Sequence, residues 1–563
     1  MLDCAAPGWI RKRLKASARA FAATARNPGL LRAQIAFAAT WTAEAAFTVG
    51  IAVVAFRDGG AAAVGVVAFA RLAPSAFITP FASALADRFP RDRVLVVSCL
   101  VRTAATASAA SALVAGASPV VVYVLAVIST AAFRLFRPAH SALLPGLCNT
   151  PFELRSANVV RGLLDSLSTL LGPLTAAALL GLGSTAAVFV TSAVLSLASG
   201  VLLLSLSYEA PPRGQPQPLR RIVHETVEGF QALLRYRDAG VLIGLALVQT
   251  LTQGFLTVFV VVLALEELGL GSSGVGLLTA ALGAGAVASS LGASMCLIGL
   301  RLAALEGIGV MLWGLPLTLM GVLPEVAVVF ALMFVIGIGN ALVDIGLHTL
   351  PARLVPEELL ARVFGAKASL TALSGAVGAF VTPFAIALLG VRGALVLLGL
   401  VAPTVVALAW RRLRAIEAAV ARRDEEIEVL NGVAMFRPLP MPAIDELALH
   451  VDHVRVAAGE AVFHQGDQGG PFYVIEDGEA EVIGDGRLIR TLGSGEGFGE
   501  IALLRDTSRT ATVRALTPLR LHSLDRRYLR SAVTAYESSE READAVVLDR
   551  LSDFTPRERA SPR

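Results

Sequence analysis

The strongest constraint on this chain is a succession of apolar runs between residues 33 and 410. They fall near 33–56, 61–86, 94–115, 119–146, 158–182, 185–206, 239–264, 272–296, 300–322, 326–350, 366–390 and 393–410, twelve in all. Each, wound as a helix, is long enough to cross a hydrocarbon core of about 30 Å. Inside lipid a backbone amide has no water to bond, so each run must satisfy itself as a helix. The expected fold class is multi-domain, beginning with an all-α twelve-helix membrane bundle. Composition agrees: the 563 residues are 55% hydrophobic and only 16% charged, with a mean hydropathy of +0.68, outside the usual range for a soluble protein.

An even number of spans puts both ends of the bundle on one side, and the arginines choose the side. Alternate loops hold Arg88, Arg91 and Arg93; Arg155; Arg213, Arg220, Arg221, Arg235 and Arg237; Arg301; Arg353, Arg362 and Lys367; and Arg411, Arg412 and Arg414. The opposite loops hold little beyond Arg57, Asp58, Glu266, Glu267, Glu325 and Arg392. The positive-inside bias therefore places both termini in the cytoplasm of a bacterial-type inner (plasma) membrane. The net charge of +4 and pI near 9.0 come from these scattered span-end arginines, so the expected partner is the lipid bilayer and its anionic leaflet, not nucleic acid. Residues 1–32 form a basic cytosolic N-terminus, read either as an interfacial amphipathic helix or as a solvated tail. The four cysteines lie far apart without metal-ligand spacing, and no metal site or disulfide framework is expected.

The spans divide six and six, residues 33–206 and 239–410, around a cytosolic central loop at 207–238. That division suggests two six-helix repeats rocking about a central cavity. Between spans two and three stands SALADRFPRDR, with Asp87, Arg88, Arg91 and Arg93. It is similar to the loop motif GxLaDrxGRr of the major facilitator superfamily, with Ser83 and Pro90 where that superfamily prefers glycine. The resemblance implies a role for these four charges in conformational gating. FRPAHSALLPGL at 136–147 and the helix that follows, with Gly172 and Pro173, resemble exporter branches of the same superfamily, while Ala176 and Ala177 replace a glycine pair. LPARLVPEELLARVFGAKASL at 350–370 looks like the equivalent loop of the second half.

Ionisable groups within lipid are expensive and mark function by default. Glu44, Arg71, Arg102, Arg134 and Asp165 lie within predicted spans and are the transport and coupling candidates. Glu44 or Asp165 is expected to carry a coupling proton, with Arg102 or Arg134 as counter-ion; static interhelical pairing is the competing reading. Glu306 and Asp344 are read as structural.

After span twelve the composition changes. Residues 411–440 read as a helical connector broken at Asn431, Gly432, Pro438 and Pro440. Residues 441–535 alternate short β-rich runs with turn signals such as Asp485-Gly486, which argues for a cytosolic β-roll with flanking helices. Residues 536–563 form a final helix and tail. Within the roll stands FGEIALLRDTSRTATV at 498–513. Gly499 and Glu500 begin a turn whose N–H groups can converge on an anion, and Arg509 carries the planar fork that suits a phosphate. The run from Phe498 through Gly499, Glu500, Ile501, Ala502 and Leu503 to Arg509, Thr510 and Ala511 resembles the phosphate-binding cassette of the cyclic nucleotide-binding domain family. The resemblance implies that Arg509 and N–H groups around Ala502 and Leu503 hold the cyclic phosphate, that Glu500 accepts from the ribose 2′-hydroxyl, and that Thr510 favours acceptance of cGMP beside cAMP.

The expected function is a secondary active transporter, a proton-coupled exporter of a small or amphipathic molecule, regulated by cAMP or cGMP, with no other cofactor. Two alternatives stand beside it: a transporter whose cargo is the nucleotide or a lipid, and a membrane-anchored receptor without transport. No nucleophile-base pair, metal cluster or P-loop suggests an enzyme. Neither the transported substrate nor the oligomeric state is legible.

Overall fold

The computed structural model describes residues 19, 21–22, 24–206, 219–296 and 301–552. Most of the basic N-terminus, residues 207–218 of the central loop and residues 553–563 of the C-terminal tail lie outside the described residues. The chain divides into two compact units, Met1–Arg414 and Ala415–Arg563.

The first unit is helical throughout. In chain order its helices are α1 (Pro28–Arg88), α2 (Arg91–Val114), α3 (Pro119–Leu147), α4 (Pro151–Gly181), α5 (Thr185–Leu204), α6 (Leu219–Arg235), α7 (Arg237–Val262), α8 (Gly271–Cys296), α9 (Leu302–Val322), α10 (Val326–Leu354), α11 (Glu357–Gly399) and α12 (Val401–Gly432). Among the described residues, ten helical stretches are long and apolar enough to cross a membrane. Two of them are broken internally. In α1 the backbone leaves helical geometry at Gly59 and Gly60, where Gly60 has φ +61°. In α11 it does so at Gly390, with φ +69°. Left-handed backbone of this kind costs glycine little and other residues more, and each break turns one long stretch into two passes. The apolar runs at 33–56 and 61–86 meet near the first break, and those at 366–390 and 393–410 near the second.

The helices meet through small residues, which is how apolar helices associate where the hydrophobic effect offers no drive. A Cβ at Gly65, in the second pass, would lie 2.7 Å from the Ala379 carbonyl oxygen on α11. A Cβ at Gly283 on α8 would lie 2.5 Å from the Thr169 carbonyl on α4, and one at Gly276 would lie 2.6 Å from that of Pro173. Both seams join a helix of the first six expected spans to one of the last six at close range, and at Gly65 the Pro383 side chain approaches as closely as the backbone. Helix α6 is strongly amphipathic and packs on α11: Glu228 pairs with Arg362 at 2.5 Å.

The second unit takes the end of α12 and adds α13 (Met441–Ala448), strands β1 (Val451–Val456), β2 (Ala461–Phe463), β3 (Phe472–Asp477), β4 (Ala480–Gly484), β5 (Arg487–Leu492) and β6 (Gly497–Phe498), the five-residue α14 (Glu500–Leu504), β7 (Thr512–Ala515), β8 (Leu519–Leu524), α15 (Arg526–Thr534) and α16 (Glu537–Ser552). The strands form two four-stranded antiparallel sheets, in the orders β1-β8-β3-β6 and β2-β7-β4-β5. Asp485 and Gly486 both have positive φ, +50° and +75°, which makes the β4–β5 connection a two-residue turn whose twist matches the strands. Val456, Ile475, Leu492, Phe498, Val513 and Leu521 fill the roll. A second core packs Leu430, Phe436, Phe472, Leu503, Leu529 and Val533 between the roll and its flanking helices. Each large apolar side chain so buried contributes about 1.5–3 kcal/mol.

Candidate functional site

The pocket of the second unit is built around a turn that only glycine fits. Strand β6 ends at Phe498 and the next residue, Gly499, caps α14 with φ +93°. A Cβ there would sit 2.4 Å from Arg509 Nη1. The space it leaves free lets Arg509 fold back over the turn, donating from Nη1 to the Gly499 carbonyl at 2.8 Å and from Nη2 to the Pro471 carbonyl at 2.7 Å. Its guanidinium lies over the Phe463 ring, 4.0 Å from the centroid. The residue is 4% exposed, and its Nε has no hydrogen-bond partner. Burial lowers its pKa, against the opposing pull of Tyr473, Glu500 and Asp467; arginine stays charged at neutral pH regardless. Two carbonyls thus fix the fork while part of its donor edge remains available.

Arg509 shares one pocket with Phe498, Gly499, Glu500, Ile501, Ala502, Thr510 and Ala511. The pocket is open to solvent, and the empty space within it is about 520 Å³. Leu503 differs from its neighbours: it is fully buried in the helix-flanked core, so its side chain faces away and only its backbone is left to take part. The first turn of α14 leaves amide hydrogens without intrahelical partners beside Arg509. Val482 of β4 and Ile489 and Leu492 of β5 add apolar lining to the same pocket.

Glu500 is 1% exposed. Its Oε2 accepts a hydrogen bond from Arg550 Nη1 at 2.7 Å, and Arg550 also lines the pocket. The sequence motif does not reveal this arginine, because it lies fifty residues downstream on α16. The apolar lining from Val482, Ile489 and Leu492 is likewise absent from the motif.

In the membrane unit the candidates separate into two groups. Glu44 accepts from Arg71 Nη2 at 3.1 Å on one oxygen and from Arg102 Nη1 at 2.7 Å on the other. Arg71 Nε also donates to Thr130 Oγ1 at 2.9 Å. Arg102 is fully buried, its guanidinium 4.8 Å from the Phe133 centroid, and its Nε and Nη2 have no partner. One carboxylate therefore faces two guanidiniums, an arrangement that carries excess positive charge in a medium that penalises it. Asp165 lies elsewhere and pairs with Arg137 at 3.5 Å; of the two expected counter-ions, Arg102 is the one in contact with Glu44. Arg134 is half-buried with its Nε unpartnered. Of the gating-loop residues, Arg91 Nη1 donates to the Ala142 carbonyl at 2.7 Å and Arg93 is exposed; the side chains of Asp87 and Arg88 lie outside the described residues. Glu306, read from the sequence as structural, is fully buried with neither carboxylate oxygen hydrogen-bonded.

Comparison with known proteins agrees with both halves. The profile of the Major Facilitator Superfamily matches residues 34–305, and that of the cyclic nucleotide-binding domain matches residues 453–536. The chain is 40% identical over 103 residues to the cAMP-dependent protein kinase regulatory subunit of Schizosaccharomyces pombe, an alignment covering 18% of this chain and 24% of that protein. It is 43% identical over 91 residues to an uncharacterized protein of Mycobacterium tuberculosis, covering 16% of this chain and 18% of the other. The chain thus spans a quarter or less of the length of these relatives. Among solved structures, the regulatory domain of Toxoplasma gondii PKA with cAMP is similar at 22% identity and a TM-score of 0.22, covering 25% of this chain and 54% of that one.

Proposed function

We propose that this chain, which joins a Major Facilitator Superfamily domain to a cyclic nucleotide-binding domain, is a proton-coupled exporter of a small or amphipathic molecule whose opening equilibrium is set by cAMP or cGMP. It sits in the inner (plasma) membrane as a multi-pass protein with both termini cytoplasmic. The observation that carries the reading is Arg509, held by two carbonyls with its remaining donors beside Glu500 and the first turn of α14.

In this reading the cyclic phosphate, a monoanion, bonds Arg509 and the amides of α14, while the ribose hydroxyl donates to Glu500. The base lies against Val482, Ile489 and Leu492, near Thr510. The name of the yeast relative, a cAMP-dependent regulatory subunit, supports the ligand class. For transport, Glu44 between Arg71 and Arg102 supports a carboxylate that exchanges its arginines for a proton as the two lobes rock. Nucleotide regulates only to the extent that it binds one transport state more tightly than the other.

Calorimetry of the purified full chain with cAMP and with cGMP, beside Arg509→Ala, tests the ligand. Saturable binding that Arg509→Ala abolishes is the expected result, and absence of saturable binding overturns the sensing half. Flux of a substrate in proteoliposomes, unchanged by saturating nucleotide, overturns the regulatory half.

A further inference from the structure

Strands β1 and β8 pair with His453 and His522 as direct cross-strand partners, so both imidazoles stand on one face of the sheet. Their rings meet edge to face, 4.8 Å between centroids. Glu476 on β3, the other neighbour of β8, brings its Oε2 to 3.5 Å from His522 Nε2. Glu426, on the part of α12 that belongs to the second unit, brings its Oε1 to 3.2 Å from His453 Nε2. One donor atom from each of His453, Glu476 and His522 lies within 4.8 Å of the other two, and all four residues line a single cavity.

We propose that His453, His522 and Glu476, with Glu426 as fourth ligand, form a site for a divalent cation of the zinc class that fastens the end of α12 to β1 and β8. Zinc bonds imidazole nitrogen and carboxylate oxygen at about 2.0–2.2 Å, which sets neighbouring donors of a tetrahedral site about 3.3 Å apart. Two edges of the cluster, at 3.2 and 3.5 Å, already have that length. The remaining separations close within the reach of side-chain rotation.

The state of His522 supports the assignment. The residue is 4% exposed and its Nδ1 has no hydrogen-bond partner, although buried polar atoms are rarely left so. Nε2 faces the Glu476 carboxylate at 3.5 Å, an acceptor that keeps the proton on Nε2 until a cation displaces it. Arg520 engages Glu476 through Oε1 at 3.5 Å, the oxygen that faces away from His522. Two nitrogens with two carboxylates suit zinc better than the oxygen-only shells of magnesium or calcium.

The test uses tag-free, full-length protein in detergent, stripped with chelator and titrated with cobalt(II), then with zinc. The expected result is saturable uptake with the intense ligand-field absorption of tetrahedral cobalt, bleached by zinc. His453→Gln, whose ring is exposed on the sheet, weakens binding about tenfold or more, Glu426→Gln weakens it about tenfold, and His464→Gln leaves it unchanged. Wild-type protein without that absorption, or His453→Gln equal to wild type, overturns the proposal. Because His453→Gln decides the matter, it stands even where His522→Gln fails to fold.

Discussion

Arg550 Nη1 donates to Glu500 Oε2 across 2.7 Å, tying the last described helix to the first residue of the pocket helix. A carboxylate that is 1% exposed thereby has a partner before any ribose arrives, and a ligand hydroxyl must share it with that arginine or displace it.

Replacement of Arg550 by Ala leaves Glu500 buried with its charge unmatched. Arg550 is partly open to water, so the loss is expected at about 1–3 kcal/mol. Hydrogen exchange of α14 and α16 peptides in the full chain should rise accordingly, and Glu500→Gln in the same background should recover part of the loss. Exchange unchanged by Arg550→Ala would show the pair to be inert.

Arg509→Lys tests the fork itself. Each hydrogen bond to a charged group contributes about 1.5–3 kcal/mol, and an ammonium cannot reach both carbonyls and a phosphate in the same planar geometry. Nucleotide affinity should fall at least about tenfold by calorimetry, with Arg509→Ala lower still.

Thr510→Ala is expected to lower affinity for cGMP about fivefold, the value of one neutral hydrogen bond, and to leave cAMP within twofold, a bound taken from the same single-bond difference of about 1 kcal/mol. Competition between the two ligands measures the ratio directly. Equal losses for both would remove Thr510 from ligand choice.

Glu44→Gln leaves Arg71 and Arg102 facing each other without a counter-charge. One-sided removal of a buried pair costs about 3–5 kcal/mol, so the detergent-solubilised protein should melt lower. The double variant Glu44→Gln with Arg102→Gln should recover part of that loss, and both should lose transport driven by a proton gradient.

For His522 the sign of the pH effect follows from its depressed pKa. The unfolded chain takes up a proton near pH 6.5 while the folded domain resists it, so stability is full above that pH and declines as pH falls through the window below it. Hydrogen exchange of β1 and β8 in chelator-treated protein should accelerate between about pH 7 and pH 5 after correction for intrinsic rate, and His522→Gln should flatten that dependence.

Much of the fold was legible because lipid and strand geometry each leave a one-dimensional signature. Twelve apolar runs followed from span length, and Asp485-Gly486 announced its turn because two consecutive positive φ angles admit few residue pairs. The cassette from Phe498 to Ala511 was legible because one turn brings its residues together. Arg550 was not, since only the docking of α16 delivers it to Glu500. The partners of Glu44 and Asp165 depended on helical phase, which a list of charged positions does not contain; hence Arg137, an unselected residue, holds Asp165. His453 and His522 carry no ligand spacing along the chain, and become neighbours only through the β1–β8 register.

The seams at Gly65 and Gly283 bring the two halves of the membrane unit so close that neither glycine has room for a side chain: Gly65 faces Pro383 and the Ala379 carbonyl, and Gly283 faces the backbone of Thr169 and Leu170. At these two points the spacing between the halves is set by the width of a hydrogen atom. A single methyl at Gly283 would therefore work as a brake, slowing exchange between transport states while leaving each state's own binding sites intact.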